Sequence, residues 1–252
     1  MTQKQYIGFG LNHVDENRYM GWDGKLNAAE FDIKDLSAIA KNLGFETKVF
    51  LGKQATVANL RQAFADARNA FGTEGGVLWF NYSGHGGQML NLETLCLYDQ
   101  QLLDISLRNE LKSFAKSVRV IAFLDCCHAG GMERAMALMG EQQVFKGYIR
   151  KAMPIEKAIF AADNVEKGVV VPPKGKSVIK YLCACQKDQS AFDGQSNGLF
   201  TAAFKTVFQR NPKMTYAELM GEVTKYIEKM QKPRLVTIPN EKVFTDEMVV
   251  FQ

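Results

Sequence analysis

Two runs of apolar residues constrain the fold of this chain more than any other feature: Val77-Leu78-Trp79-Phe80, and Val120 to Leu124. A continuous apolar run bounded by turn residues fits a strand buried on both faces, as in a parallel sheet covered by helices. Each run ends in a loop rich in glycine and reactive side chains, NYSGHGG after the first and DCCHAGG after the second. Helical spacing surrounds them. Ala29, Ile33, Leu36, Ala40 and Leu43 recur at fours and threes before Gly44, and Leu60, Phe64, Ala67 and Phe71 lie between a predicted cap, Thr56, and Gly72. Leu107, Leu111 and Phe114 mark a third helix; QYIGFGL, FETKVFL and SVIKYLCAC read as further strands. GLFTAAFKTVFQ and TYAELMGEVTKYIEKM, the latter capped by Thr215, read as two more helices. Strand and helix in alternation imply an open, mostly parallel α/β sheet with helices on both faces. Ligands bind such sheets beyond the carboxyl ends of the strands, so the two loaded loops share one edge.

Composition removes several function classes. A net charge of +4 over 252 residues is too mild to imply nucleic acid. No stretch approaches the ~20 apolar residues of a membrane span. The N-terminal MTQKQYIGFG lacks the features of a signal peptide, and an odd number of cysteines (Cys96, Cys126, Cys127, Cys183, Cys185) suits a reducing compartment. The expectation is a soluble cytoplasmic protein whose first strand begins close to Met1, with no prodomain before it.

The two loops carry what a cysteine nucleophile needs. The thiolate is the reactive form, and a thiol with a free pKa near ~8.5 must be activated by a base or by positive surroundings. Glycines let a substrate backbone approach closely and let loop N–H groups face a developing oxyanion. His85 suits the role of base. His128 follows Cys127 directly, so its side chain projects away from that thiol, whereas His85 comes from the other loop.

NYSGHGGQ and FLDCCHAGG resemble the two catalytic blocks of metacaspases and their prokaryotic relatives, within the caspase-like clan of cysteine peptidases. ACQKDQSAFDG with NGLFTAAF is similar to the family's small-subunit segment. The resemblance covers nearly the whole chain and implies a caspase-like three-layer sandwich with a sheet of about six strands. It implies one domain, 1–252, with a large-subunit-like region over 1–130, a linker-like excursion over 131–176 and a small-subunit-like region over 177–252. Its Asp-x-Cys-His pattern selects Cys127 rather than Cys126 as nucleophile, with His85 as partner and the N–H groups of Gly86 and Cys127 as oxyanion hole. It also implies an acidic pocket for an Arg or Lys side chain, formed by Asp125, Ser83 and Asp32. Around Asp32 the match is incomplete: AAEFD has Ala29 and Phe31 where the family carries Cys and Asn. A buried guanidinium or ammonium does need a paired carboxylate. Asp188 either lines the same pocket or is a surface charge. True caspases carry Gln-Ala-Cys where this chain has Asp-Cys-Cys, which argues against cutting after aspartate.

The expected activity is therefore an endopeptidase acting on proteins or peptides with a basic P1 residue, with no organic cofactor. Self-cleavage is expected in the excursion, at Arg134, Lys146, Arg150, Lys151 or Lys157, because irregular exposed segments are where nicking concentrates. Many metacaspases bind calcium through clustered aspartates, and that cluster is depleted here. Asp99 matches one member, but Arg108 and Asn109 stand where two carboxylates belong, leaving Glu110, or Asp104 in a shifted alignment. Activity without added calcium is expected, with no metal site. Two rivals remain. One is a catalytically silent caspase-fold scaffold that binds a regulatory partner protein. The other is a zinc protein using Cys126, Cys127, His128 and Cys183 or Cys185, which is disfavoured because three consecutive residues cannot easily face one tetrahedral ion.

Overall fold

The computed structural model describes residues 2–89, 92–126, 144–145, 148–154, 176–185, 190–239 and 244–252. The first strand, β1 (Lys4–Gly10), leads to helix α1 (Ala29–Asn42), β2 (Glu46–Leu51) and α2 (Val57–Phe71). The expected caps hold α2: Thr56 Oγ1 accepts from the Asn59 N–H at 3.2 Å, and Gly72 follows with a φ of 50°. Next come β3 (Gly76–Ser83), the small antiparallel sheet β4 (Gly86–Met89), β5 (Leu92–Cys96) and β6 (Gln101–Leu103), then α3 (Asp104–Lys112) and β7 (Val118–Asp125). Two short strands, β8 (Val144–Phe145) and β9 (Tyr148–Arg150), precede β10 (Val178–Cys183) and β11 (Phe192–Asp193). Helices α4 (Leu199–Arg210) and α5 (Tyr216–Ile227) and strand β12 (Arg234–Ile238) complete the chain. Thr215 and Glu218 form a reciprocal capping box at the start of α5.

The main sheet has six strands in the order β12-β10-β7-β3-β1-β2, all parallel except the β10–β12 pair. β3 is buried along its whole length, as its apolar run requires. One face packs against α2 and α3 through Phe64, Phe71, Phe80 and Phe114. The other packs against α1, α4 and α5 through Leu36, Phe123, Phe204 and Leu219. Trp79 stacks on Phe251 at 4.0 Å and Phe123 on Phe200 at 4.6 Å, tying the final residues and α4 to the central strands. Each such pair adds ~0.5–1.5 kcal/mol beyond its buried area. The result is the expected sandwich of helices, sheet and helices.

The excursion departs from expectation where it is described. Residues 148–154 are not a loose linker. β9 pairs antiparallel with β11, Arg150 opposite Phe192 and Ile149 opposite Asp193, and Ala152 bridges to Gly86. Lys151, expected to be exposed, is wholly buried, because three carboxylates and a hydroxyl receive its ammonium.

Candidate active site

Ser83 and Asp125 are the last residues of neighbouring strands β3 and β7, and the register places them directly opposite each other. Asp32 reaches the same point from the first turn of α1, where Ser83 Oγ donates to its Oδ2 at 2.7 Å. All three are fully buried. The rest of the wall comes from the start of α4. Thr201 donates to Asp125 Oδ2 from its N–H at 3.2 Å and its hydroxyl at 2.7 Å. The Gly198 N–H and Asn197 Nδ2 donate to Asp32 Oδ1 at 2.9 and 3.0 Å. A side chain at Gly198 is not possible without displacement: its Cβ would lie 2.6 Å from Asp125 Oδ2 and 2.5 Å from Lys151 Nζ.

The occupant of this pocket is Lys151. Its Nζ lies 2.9 Å from Asp32 Oδ2, 2.8 Å from Ser83 Oγ, 3.2 Å from Asp125 Oδ1 and 3.9 Å from Asp193 Oδ1. The Asp125 contact is an ion pair without hydrogen-bond alignment. Burial alone would lower the ammonium, but Asp125, Asp32 and Asp193 outweigh it and hold Lys151 above the ordinary lysine range. Burial pushes the Asp125 carboxyl up to about 6, with the Asp32 charge adding to the rise and Lys151 opposing it. Burial also raises Asp193, whose Oδ2 accepts from the N–H groups of Asn27 and Ala28 ahead of α1.

His85 follows β3 and is almost wholly buried, with Trp22 edge-on at 4.7 Å between ring centroids. Its Nε2 lies 3.0 Å from the Gly24 carbonyl oxygen. A carbonyl only accepts, so Nε2 carries the proton and Nδ1 keeps the lone pair. Among the described residues Nδ1 has no hydrogen-bond partner. Burial lowers the imidazole to about 3, the Gly24 carbonyl opposing it, so the ring is neutral near pH 7. Gly84 makes the tight turn into His85, since a Cβ there would meet the Tyr82 hydroxyl at 2.6 Å. The Gly86 N–H donates to the Lys151 carbonyl at 2.9 Å.

Of the residues singled out in the sequence, Ser83, Asp125, Asp32, His85 and Gly86 come together. Cys127 and Asp188 lie outside the described residues, as do His128, Arg134, Lys146 and Lys157. Arg150 is half-buried on β9. Cys126, Cys183 and Cys185 are buried thiols outside any disulfide, and among the described residues no group of three or more His, Cys, Asp or Glu is arranged to hold a metal. The acidic residues weighed for calcium serve local bonds. Asp99 accepts from the Val57 N–H, Asp104 accepts from the Ile105 N–H, and Glu110 pairs with Arg68 at 3.0 Å. Sequence reading missed Asp193, Asn197 and Thr201. The signal for Asp193 was present in the AFDG stretch of the third block, five residues beyond the aspartate chosen there.

Comparison with known proteins places the chain in a family. The caspase-domain family matches residues 14–245. The chain belongs to that family. Among curated relatives of this caspase-domain chain, metacaspase-1 of Coccidioides immitis is 24% identical and metacaspase-1A of Aspergillus oryzae is also 24% identical. These alignments cover 84% and 91% of the chain but 58% and 67% of the relatives, so it spans about three-fifths of their length. A solved structure of protein GSU0716 from Geobacter sulfurreducens is 29% identical, with a TM-score of 0.84 covering 99% of this chain and 98% of that one. Caspase-1 of Spodoptera frugiperda shares the fold at 12% identity and a TM-score of 0.57, covering 94% and 85%. Among the described residues no helix is long and apolar enough to cross a membrane.

Proposed function

We propose that this chain is a cysteine endopeptidase that cuts after Arg or Lys, with Cys127 as nucleophile and His85 as its base. The observation that carries this reading is the pocket: a primary ammonium lies among Asp32, Ser83, Asp125 and Asp193, next to His85 and the Gly86 N–H. His85 Nδ1 takes the Cys127 thiol proton and returns it to the leaving amine. Water then hydrolyses the thioester, and the Gly86 N–H receives the oxyanion. Calcium is not required in this reading, because Asp99, Asp104 and Glu110 are engaged in local bonds rather than gathered.

Paired variants test it. Cys127→Ala abolishes hydrolysis of an Arg-ending fluorogenic peptide, by a thousandfold or more, whereas Cys126→Ala keeps most of it; both assays run in excess EGTA. Equal loss from two folded variants would remove the assignment, and a tenfold rise on adding Ca²⁺ would remove the calcium-free reading. A second reading, a silent scaffold, draws on the fact that the pocket is already filled. A basic alkylating probe discriminates: a scaffold does not label selectively at Cys127.

A further inference from the structure

We propose that the cavity between α3 and the β10–β12 pair is a binding site for a small aromatic acid: one ring on a short arm that ends in a carboxylate. The residues that line it include none of those around Lys151, and the proposal does not depend on the endopeptidase reading.

The cavity has a volume of about 180 Å³. An apolar cavity of roughly 150 Å³ holds a benzene, so one ring with a short arm fits. The strand register shows how the space arises. β12 pairs antiparallel with β10, which puts Tyr181 opposite Val236 and Cys183 opposite Arg234. These four residues line the cavity, together with Leu95 of β5 and Leu107 of α3. α3 is nine residues long and β12 stays half-exposed, so this part of the sheet face is incompletely covered. Aliphatic carbons and a thiol make a wall that takes an aromatic ring, since sulfur packs favourably against a ring edge.

Two observations set the chemistry of the other end of the ligand. The Tyr181 hydroxyl is buried, yet it has no hydrogen-bond partner among the described residues. A buried hydroxyl left unpaired is destabilising, and a ligand oxygen would pair it. Burial pushes this phenol above the ordinary tyrosine range, with the Cys183 thiol adding and Arg108 opposing, so it donates at neutral pH. Four charged residues also line the cavity, and they are not equivalent. Glu93 and Asp104 already have partners, Asp104 accepting from the Ile105 N–H at 2.7 Å. Arg108 and Arg234 are exposed and make no ion pair or side-chain hydrogen bond among the described residues. The uncommitted charge is therefore positive. A donor within and two guanidinium groups at the exposed edge match a carboxylate, which can accept from both kinds of group at once.

Titration of the full chain with two matched probes, 3-phenylpropionate and 3-phenylpropionamide, tests this. The acid should bind with a Kd below about 1 mM, and the amide roughly tenfold more weakly, for want of the charge-assisted contacts. Tyr181→Phe should weaken both probes by about fivefold or more, because each loses the same donor. Arg108→Gln and Arg234→Gln should each weaken the acid roughly three- to tenfold and leave the amide unchanged. Val236→Phe fills the cavity and should abolish binding of both. Where that variant does not fold, the other three decide: two alter exposed side chains, and the third removes an oxygen that bonds to nothing. Absence of acid binding at 10 mM, equal affinity for acid and amide, or an acid affinity unmoved by Tyr181→Phe or by both arginine changes overturns the proposal. None of these outcomes bears on peptide hydrolysis, which is assayed separately.

Discussion

Two lysines are fully buried among the described residues, and their surroundings differ. Lys180, in the middle of β10, meets one carboxylate, the half-exposed Asp246, together with Thr237 Oγ1 at 2.7 Å and the rings of Phe244 at 4.7 Å and Tyr216 at 5.1 Å. Burial lowers its ammonium despite Asp246. Lys151 has three buried carboxylates and a serine, and the balance runs the other way. A lysine that only has to be accommodated needs one counter-charge and some aromatic faces. Three carboxylates exceed that requirement, and desolvating them without a cation would be costly. In the proposed function the acidic cluster is a receptor for a cation, and Lys151 is the ammonium it holds here.

The largest expected contrast is in stability. In a Cys127→Ala background, where no self-cut occurs, Lys151→Met should cost about 3–5 kcal/mol by denaturant unfolding at pH 7, because it strands buried carboxylates. Lys180→Met should cost clearly less, since Asp246 can turn to water. Equal losses would erase the distinction.

Catalysis separates the two sites next. Asp125→Asn should lower kcat/KM for basic P1 peptides about a hundredfold, ~3 kcal/mol, with little effect on a neutral P1. Asp246→Asn should leave the ratio unchanged. Retained basic selectivity in Asp125→Asn would break the assignment of the receptor.

The pH dependence sharpens it further. Burial holds His85 at about 3, against ~6.5 when unfolded, so below pH 6.5 the unfolded chain binds a proton that the native site refuses. That contribution is full above pH 6.5 and is lost as pH falls towards 3, at ~1.4 kcal/mol per pH unit. Asp125, raised by burial to about 6, acts oppositely, and stability returns as it takes a proton below that value. The two partly cancel in the parent protein. Against a His85→Gln variant in the same Cys127→Ala background, the parent's advantage should shrink by about 2.3 kcal/mol between pH 6.5 and 4.5. Lys180→Met should not alter that difference.

The smallest effect closes the series. Asp246→Asn should change stability by less than ~1 kcal/mol, as for other solvent-facing ion pairs.

Much of this was legible because β3 and β7 are adjacent strands with short loaded loops. Buried runs place Ser83, His85 and Asp125 on one edge by local pattern alone, and the caps at Thr56 and Thr215 are equally local. Lys151 and Asp193 were hidden for the opposite reason. Their meeting depends on a two-residue strand pairing with a three-residue one, with Arg150 opposite Phe192 far along the chain and no periodicity to announce it. Asp32 was found despite an imperfect block, because its position in the first turn of α1 survives the loss of the neighbouring residues. Residues 149–153 read as unstructured because their order is borrowed from Ala191, Phe192 and Gly86.

The pairing of β7 with β10 carries a further consequence. Arg119 to Leu124 lie in register with Val178 to Cys183, and Trp79 and Phe123 pack against Phe204 and Phe251 across the same boundary. These contacts do not depend on the connection between the two strands, and the entropy that the connection saves grows only logarithmically with its length. Severed in that connection, the two pieces would be held together by these contacts as a complex of two polypeptides. From then on its unfolding would be a dissociation. An intact chain unfolds at a denaturant midpoint that ignores protein concentration; the nicked one would acquire a midpoint that falls on dilution.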